Sequence, residues 1–74
     1  MNQHFHGNFT AMIAHDNGWW IGFIEELPGV NAQEKTREAL VKSLKTALRD
    51  ILEVNREIAL QSAPEKYTED AITL

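Results

Sequence analysis

Cysteine is absent from the 74 residues of this chain, and proline occurs only twice. Without cysteine there is no disulfide framework and no thiolate for redox or nucleophilic chemistry. Three histidines without cysteine do not predict a closed structural zinc site. A chain of this length buries only about 60% of its unfolded surface, so its core is thin. We therefore expect one domain that depends on helix–sheet packing, on self-association, or on both.

Long apolar runs are absent as well. No segment approaches the roughly 18 consecutive apolar residues of a membrane span. The polar start, from Met1 to His4, does not resemble a signal peptide. We expect a soluble, cytoplasmic protein in which residues 1–6 form a flexible arm and residues 7–74 form a single domain.

The formal net charge of −4 is unevenly distributed. Residues 37–60 carry five bases and four acids, whereas residues 7–36 carry four acids and one base, and residues 61–74 three acids and one base. Nucleic-acid binding needs a basic footprint that displaces counterions from phosphates. The charge pattern therefore argues against non-specific nucleic-acid binding and suits a basic protein partner.

Two apolar segments, residues 9–15 and 19–24, flank Asp16-Asn17-Gly18. Asn-Gly is a strong hairpin signal because both residues tolerate positive φ. The pattern predicts a hairpin, but two registers are open. A two-residue turn pairs Met12 with Phe23, whereas a three-residue loop pairs Ala11 with Phe23, and one residue of slip exchanges the faces.

Both faces of the second strand are apolar in either register. Trp19, Ile21 and Phe23 lie on one side, and Trp20 and Ile24 lie on the other. A single helix covers only one face of a small sheet, so one tryptophan must face away from it. An uncovered tryptophan is a typical interface anchor. Our interface hypothesis comprises two tryptophans, two further apolar residues and two rim carboxylates: Trp19, Trp20, Phe23, Ile24, Glu25 and Glu26.

The second half of the chain is predicted from its turn and helix signals. Pro28-Gly29 breaks the sheet, and residues 30–33 are long enough for a third strand. Thr36 is a candidate N-cap for a helix of roughly 22 to 24 residues, about 35 Å long, which ends before Pro64. Residues 67–74 alternate weakly and predict a last strand. The expected fold class is α+β, with the order β-β-β-α-β and one helix on the sheet.

The residues that catalysis or metal binding would need are not grouped in the sequence. His4 and His6 alternate in the predicted arm without a third ligand. Glu25 and Glu26 are adjacent, so an extended chain points them to opposite faces. The sequence contains no glycine-rich phosphate loop, no Gly-x-Ser-x-Gly and no His-Glu-x-x-His. We predict no enzymatic activity, no cofactor and no metal.

Four pieces of the chain together resemble the HicB family of antitoxins, over about residues 9–60. The family pattern is an aromatic-Thr-Ala opening, a turn ending in glycine and an aromatic residue, a Glu-Leu-Pro-Gly corner and a Thr-x-Glu-Ala-Leu helix start. Here these are Phe9-Thr10-Ala11, Asp16-Asn17-Gly18-Trp19, Glu26-Leu27-Pro28-Gly29 and Thr36-Arg37-Glu38-Ala39-Leu40. The resemblance implies a partial RNase H-like fold without catalytic residues. It also implies a dimer or tetramer that binds HicA, a small, generally basic toxin that cleaves messenger RNA.

The sequence departs from the family pattern in two places. Many HicB proteins carry a C-terminal DNA-binding domain, and no such element follows the helix before Leu74, so we expect no direct DNA binding by this chain. Val30 stands where cysteine is frequent in the family. The leading hypothesis is a short HicB-like antitoxin domain. The alternative is a stand-alone HicB-like oligomer that has lost its toxin partner and has another binding role.

Overall fold

The structure is a computed structural model that describes residues 8–72. The arm predicted for residues 1–6 lies outside this range. Three strands precede one helix: β1 (Ala11–Asp16), β2 (Trp19–Ile24), β3 (Asn31–Glu34) and α1 (Arg37–Ser62). The strands form one antiparallel sheet in the order β1-β2-β3. The α+β class and the order β-β-β-α are confirmed.

The hairpin between β1 and β2 has a two-residue turn. Asn17 and Gly18 both adopt positive φ, 51° and 79°, as a type I′ turn requires. Met12 pairs with Phe23, and Ile13 pairs with Gly22. The two-residue register is therefore confirmed, and the three-residue loop is excluded.

The Pro28-Gly29 corner reverses the chain between β2 and β3. Gly29 has a φ of 96°, and the Val30 amide donates to the Leu27 carbonyl at 3.3 Å, as expected of a type II turn. The Ile24 amide donates to the Val30 carbonyl at 2.9 Å, so the corner continues the β2–β3 pairing. The third strand forms one residue later than predicted.

Helix α1 begins at the predicted cap. The Thr36 side chain accepts a hydrogen bond from the Ala39 amide at 3.0 Å. The helix runs for 26 residues and ends just before Pro64. At 1.5 Å per residue it is about 39 Å long, slightly longer than the sequence predicts.

The core lies between α1 and one face of the sheet. Its buried members are Ile24, Val30, Leu40 and Leu44. Gly22 is positioned directly below the helix, because a Cβ there would lie 3.0 Å from Leu44 Cδ1 and 3.2 Å from Leu40 Cδ2. The missing side chain lets the helix approach β2 closely. As expected for so short a chain, the core is thin.

The fourth strand predicted for residues 67–74 does not form over residues 67–72, and Thr73 and Leu74 lie outside the described residues. The reason is the length of α1, which continues for 11 residues beyond Ile51, the last helical residue packed against the core. The chain leaves the helix far from the sheet. It then returns along the helix, where Arg56 pairs with Glu69 at 2.9 Å, and Ile72 remains 86% exposed.

Over residues 8–72, no helix combines the length and the apolar character that crossing a bilayer requires.

Candidate protein interface

The side of the sheet that faces away from α1 carries an uncovered apolar surface, which we call the open sheet face. Strand alternation places there Met12 and Ala14 from β1 and Trp19, Ile21 and Phe23 from β2. The exposed fractions of Met12, Ile21 and Phe23 are 47%, 37% and 50%. Contiguous apolar patches of this kind mark interaction sites.

The register makes this surface continuous across the two strands. Met12 lies directly opposite Phe23, and Ala14 lies opposite Ile21. Side chains that oppose one another on one face of an antiparallel pair touch. Together they border a shallow depression of about 470 Å³ whose lining is wholly apolar in residue type. A partner surface therefore meets a single patch.

At one end of the open sheet face, a lysine side chain lies over a tryptophan ring. The Lys35 ammonium lies 3.8 Å from the centroid of the Trp19 ring. At this distance the cation is attracted by the negative face of the ring. Trp19 is therefore half-buried by a residue of its own chain, and the expectation that one tryptophan faces away from the helix is confirmed for Trp19.

The other tryptophan and Ile24 lie on the helix side of β2. Ile24 is only 5% exposed and belongs to the core, so its place in the interface hypothesis is corrected: it packs under α1. Trp20 is half-buried and stacks on His15, with ring centroids 4.4 Å apart. The four apolar residues of that hypothesis therefore divide between two faces, since successive strand residues point in opposite directions.

The two rim carboxylates have different surroundings. Glu26 accepts hydrogen bonds from the Thr10 hydroxyl at 2.6 Å and from the Thr10 amide at 2.7 Å. The hydroxyl hydrogen bond, followed by the amide bond, holds the pKa of Glu26 below its ordinary value. Glu26 thus ties the Pro28-Gly29 corner to the start of β1, whereas Glu25 is exposed. We assign Glu26 a positioning role in the fold.

The interface hypothesis omits two residues that the structure places at the centre of the open sheet face. Met12 is the cross-strand partner of Phe23, and Ile21 is the next residue but one along β2. The signal that could have found Met12 is the two-residue register, because it alone puts Met12 on the same face as Phe23. Ile21 could have been found from strand alternation, which places it with Trp19 and Phe23 in either register.

A second uncovered apolar surface lies on the part of α1 beyond the sheet, residues 52–62, which we call the helix overhang. Val54, Ile58 and Leu60 are 47%, 56% and 40% exposed there. Where the overhang begins, a groove of about 410 Å³ separates the helix from the Pro28-Gly29 corner. The interface hypothesis included neither the helix overhang nor this groove.

Within residues 8–72 no three His, Cys, Asp or Glu side chains are grouped so that they could hold a metal ion. His4 and His6 lie outside these residues. The predictions of no enzymatic activity, no metal and no cofactor stay predictions.

The fold and the site define a small α+β domain with one covered and one uncovered sheet face. Comparisons of the chain with protein-family models, with curated proteins and with solved structures find no match. The resemblance to HicB antitoxins therefore stays a prediction.

Proposed function

We propose that this chain is a non-enzymatic, HicB-like antitoxin domain that self-associates and that binds and neutralises a HicA-type, mRNA-cleaving toxin in the cytoplasm. The observation that carries the proposal is the open sheet face, on which Met12, Ile21 and Phe23 remain uncovered. A face of this kind supports a protein–protein contact. The motif resemblance supplies the class of partner.

The thin core supports self-association. Only four side chains are buried among the described residues. Fully burying a side chain such as Phe or Ile contributes about 1.5–3 kcal/mol, so covering three half-exposed ones adds appreciably to a small domain. Because a partner that binds only the folded state stabilises it, association and folding support each other.

The charge supports a basic partner. The chain carries 11 acids and 7 bases. Complementary charge accelerates encounter and disfavours wrong partners. A toxin of the generally basic HicA type meets this condition.

The alternative, a stand-alone oligomer without a toxin, rests on the same open sheet face. The centre of the face carries no charge. Its Trp19 end carries one acid, Asp16, and one base, Lys35, whose ammonium lies over the Trp19 ring. Two copies with the same net charge can therefore meet there without placing like charges opposite each other. Self-association by this face belongs to both hypotheses, and only toxin binding separates them.

The proposal predicts that a gene beside this one encodes a small basic protein, and the test is co-expression with that protein. We expect a stable complex and relief of the growth arrest that this protein causes. If neither is seen while sedimentation shows an oligomer, the toxin hypothesis is wrong and the stand-alone oligomer is supported.

A matched pair of variants tests the open sheet face itself. Phe23→Ser should lower the sedimenting mass, because it removes an exposed apolar side chain from the contact. Val54→Ser is the control, since Val54 has nearly the same exposed fraction but lies on the helix overhang. Equal sedimentation of the Phe23→Ser variant and the unmodified chain would contradict the proposed contact.

A further inference from the structure

The apolar stripe of α1 continues beyond the sheet that covers it. Apolar residues recur along one side of the helix at alternating steps of four and three, which keeps them on one face. Leu40 and Leu44 are buried, whereas Val54 and Ile58 are about half exposed. The members of this stripe are Leu40, Leu44, Ala47, Ile51, Val54 and Ile58.

The exposed part of the stripe begins in a groove. One wall is the corner, formed by Pro28, Gly29 and Val30, and the other wall is the helix. The groove has a volume of about 410 Å³. A single charged residue, Asp50, lines it, beside Ala47, Ile51 and Val54. The groove is therefore shaped for apolar side chains and has a carboxylate at its border.

Acidic residues border the stripe along the helix overhang. Glu53 and Glu57 follow Asp50 at i+3 and i+7, so all three carboxylates lie on one flank of α1. In the part of the chain that the structure describes, none of the three forms an ion pair or a side-chain hydrogen bond. The nearby base Arg56 donates to the Glu69 carboxylate at 2.9 Å and 3.4 Å instead. The three carboxylates are therefore free of ion pairs among the described residues, although Arg49 lies next to Asp50 and four residues before Glu53.

We propose that this groove and its acidic border bind a basic amphipathic segment of a protein partner. Apolar side chains of that segment enter the groove beside Ile51 and Val54. Its lysines or arginines lie along Asp50, Glu53 and Glu57, where opposite charges attract. The inference deepens the proposed function, on which it rests, by assigning the basic partner to a surface separate from the open sheet face.

A second copy of the chain fits this groove less well than a basic segment does. In an antiparallel two-fold contact, the same surface of each copy meets that of the other. The flank with Asp50 and Glu57 in one copy would therefore lie beside the same acidic flank of the second copy. Like charges at such positions destabilise helix pairs. The open sheet face has carboxylates at its two ends, Asp16 and Glu25, rather than a row along its length, and is therefore the better surface for the second copy.

The experiment titrates the full ¹⁵N-labelled chain with a synthetic amphipathic helix that carries leucine on one face and lysine along its border. A second peptide with glutamine in place of each lysine is the matched ligand control. The protein variants are Asp50→Asn, Glu57→Gln and Val54→Ser. Glu65→Gln is the control, since it makes the same change of charge at an exposed position that does not line the groove.

We expect amide shifts centred on Val30, Ile51 and Val54. Asp50→Asn and Glu57→Gln should each weaken binding of the lysine peptide by about two- to fivefold, the range for exposed charge pairs. Val54→Ser should weaken it by about fivefold through lost apolar burial. Glu65→Gln should leave it unchanged. Val54 and the carboxylates lie outside the core, so thermal melting should confirm that every variant folds.

Three results would overturn the inference. Equal binding of the lysine and glutamine peptides would show that charge has no part. Amide shifts centred on Met12, Ile21 and Phe23 would place the basic segment on the open sheet face. A fall in sedimenting mass on Val54→Ser would show that a second copy covers the groove. Because the probe contains no toxin, these results stand apart from toxin neutralisation, and the failure of one proposal is distinguishable from the failure of the other.

Discussion

On β2, alternate side chains point to opposite faces of the sheet, and both sets are apolar. On the helix side, Ile24 is buried and Gly22 admits the helix. On the other side, Phe23 is half exposed although its side chain is the larger. Hydrophobicity alone thus does not distinguish core from interface in this strand. The presence of a covering element does, and the chain supplies only one helix.

The largest expected effect comes from truncation on the covered side. Leu40 is 0% exposed, so Leu40→Ala should lower the free energy of unfolding by about 2–5 kcal/mol through lost burial and a cavity. Urea denaturation at low protein concentration measures it. Under the same conditions, Phe23→Ala on the open sheet face should lower the free energy of unfolding by far less. Equal losses of stability in the two variants would contradict the difference in burial between the two faces.

Gly22 offers a second comparison, between two small residues on opposite faces. Gly22→Val places methyl groups against Leu40 and Leu44 and should destabilise the domain by about 1–3 kcal/mol through overpacking. Ala14→Val on the exposed open sheet face should change stability by less than about 0.5 kcal/mol. Thermal or urea unfolding of the two variants measures this difference in stability. A neutral Gly22→Val would show that the helix does not approach β2 closely.

The Glu26–Thr10 link predicts a pH dependence. Because the pKa of Glu26 is lowered below its ordinary value of 4.5, the link contributes stability above the unfolded pKa. That contribution disappears as the pH falls through the folded pKa. Acid unfolding followed by circular dichroism should therefore begin at higher pH in Thr10→Val than in the unmodified chain. Glu25→Gln is the control, and identical acid transitions for Thr10→Val and the parent chain would contradict the positioning role.

The smallest expected effect lies at the end of the open sheet face. Lys35→Gln removes the cation over Trp19. It should therefore lower the free energy of unfolding by about 0.5–1 kcal/mol and change the tryptophan fluorescence. Lys42→Gln, on the exposed side of α1, is the matched control and should leave both readouts unchanged. Unchanged fluorescence in Lys35→Gln would show that the contact does not persist in solution.

Local signals predicted most of the fold because the chemistry that acts there is local. Asn17-Gly18 specifies the hairpin turn through positive φ, and Thr36 specifies the start of the helix through its side-chain cap. The fourth strand was predicted from weak alternation, which is also local, and this prediction was wrong over residues 67–72. Alternation carries no information on whether the chain can reach the sheet edge.

The candidate site could be predicted only in part. The sequence indicated that one face of β2 must lack a cover, and it indicated Trp19 and Phe23 among the candidates. It did not distinguish them from Trp20 and Ile24, because both sets have the same period and similar hydrophobicity. Nor did it indicate the groove, whose walls are 17 or more residues apart along the chain, at Val30 and Ala47.

The sequence by itself determined the turns, the helix start and the order of the three strands and the helix, since these depend on signals between neighbouring residues. Composition alone determined the excess of acidic residues. Only the tertiary structure decided which face of β2 the helix covers and how far α1 extends beyond the sheet. Helix docking is a contact between distant segments, and its geometry depends on the close approach at Gly22. The two uncovered apolar surfaces result from that docking and from the length of the helix.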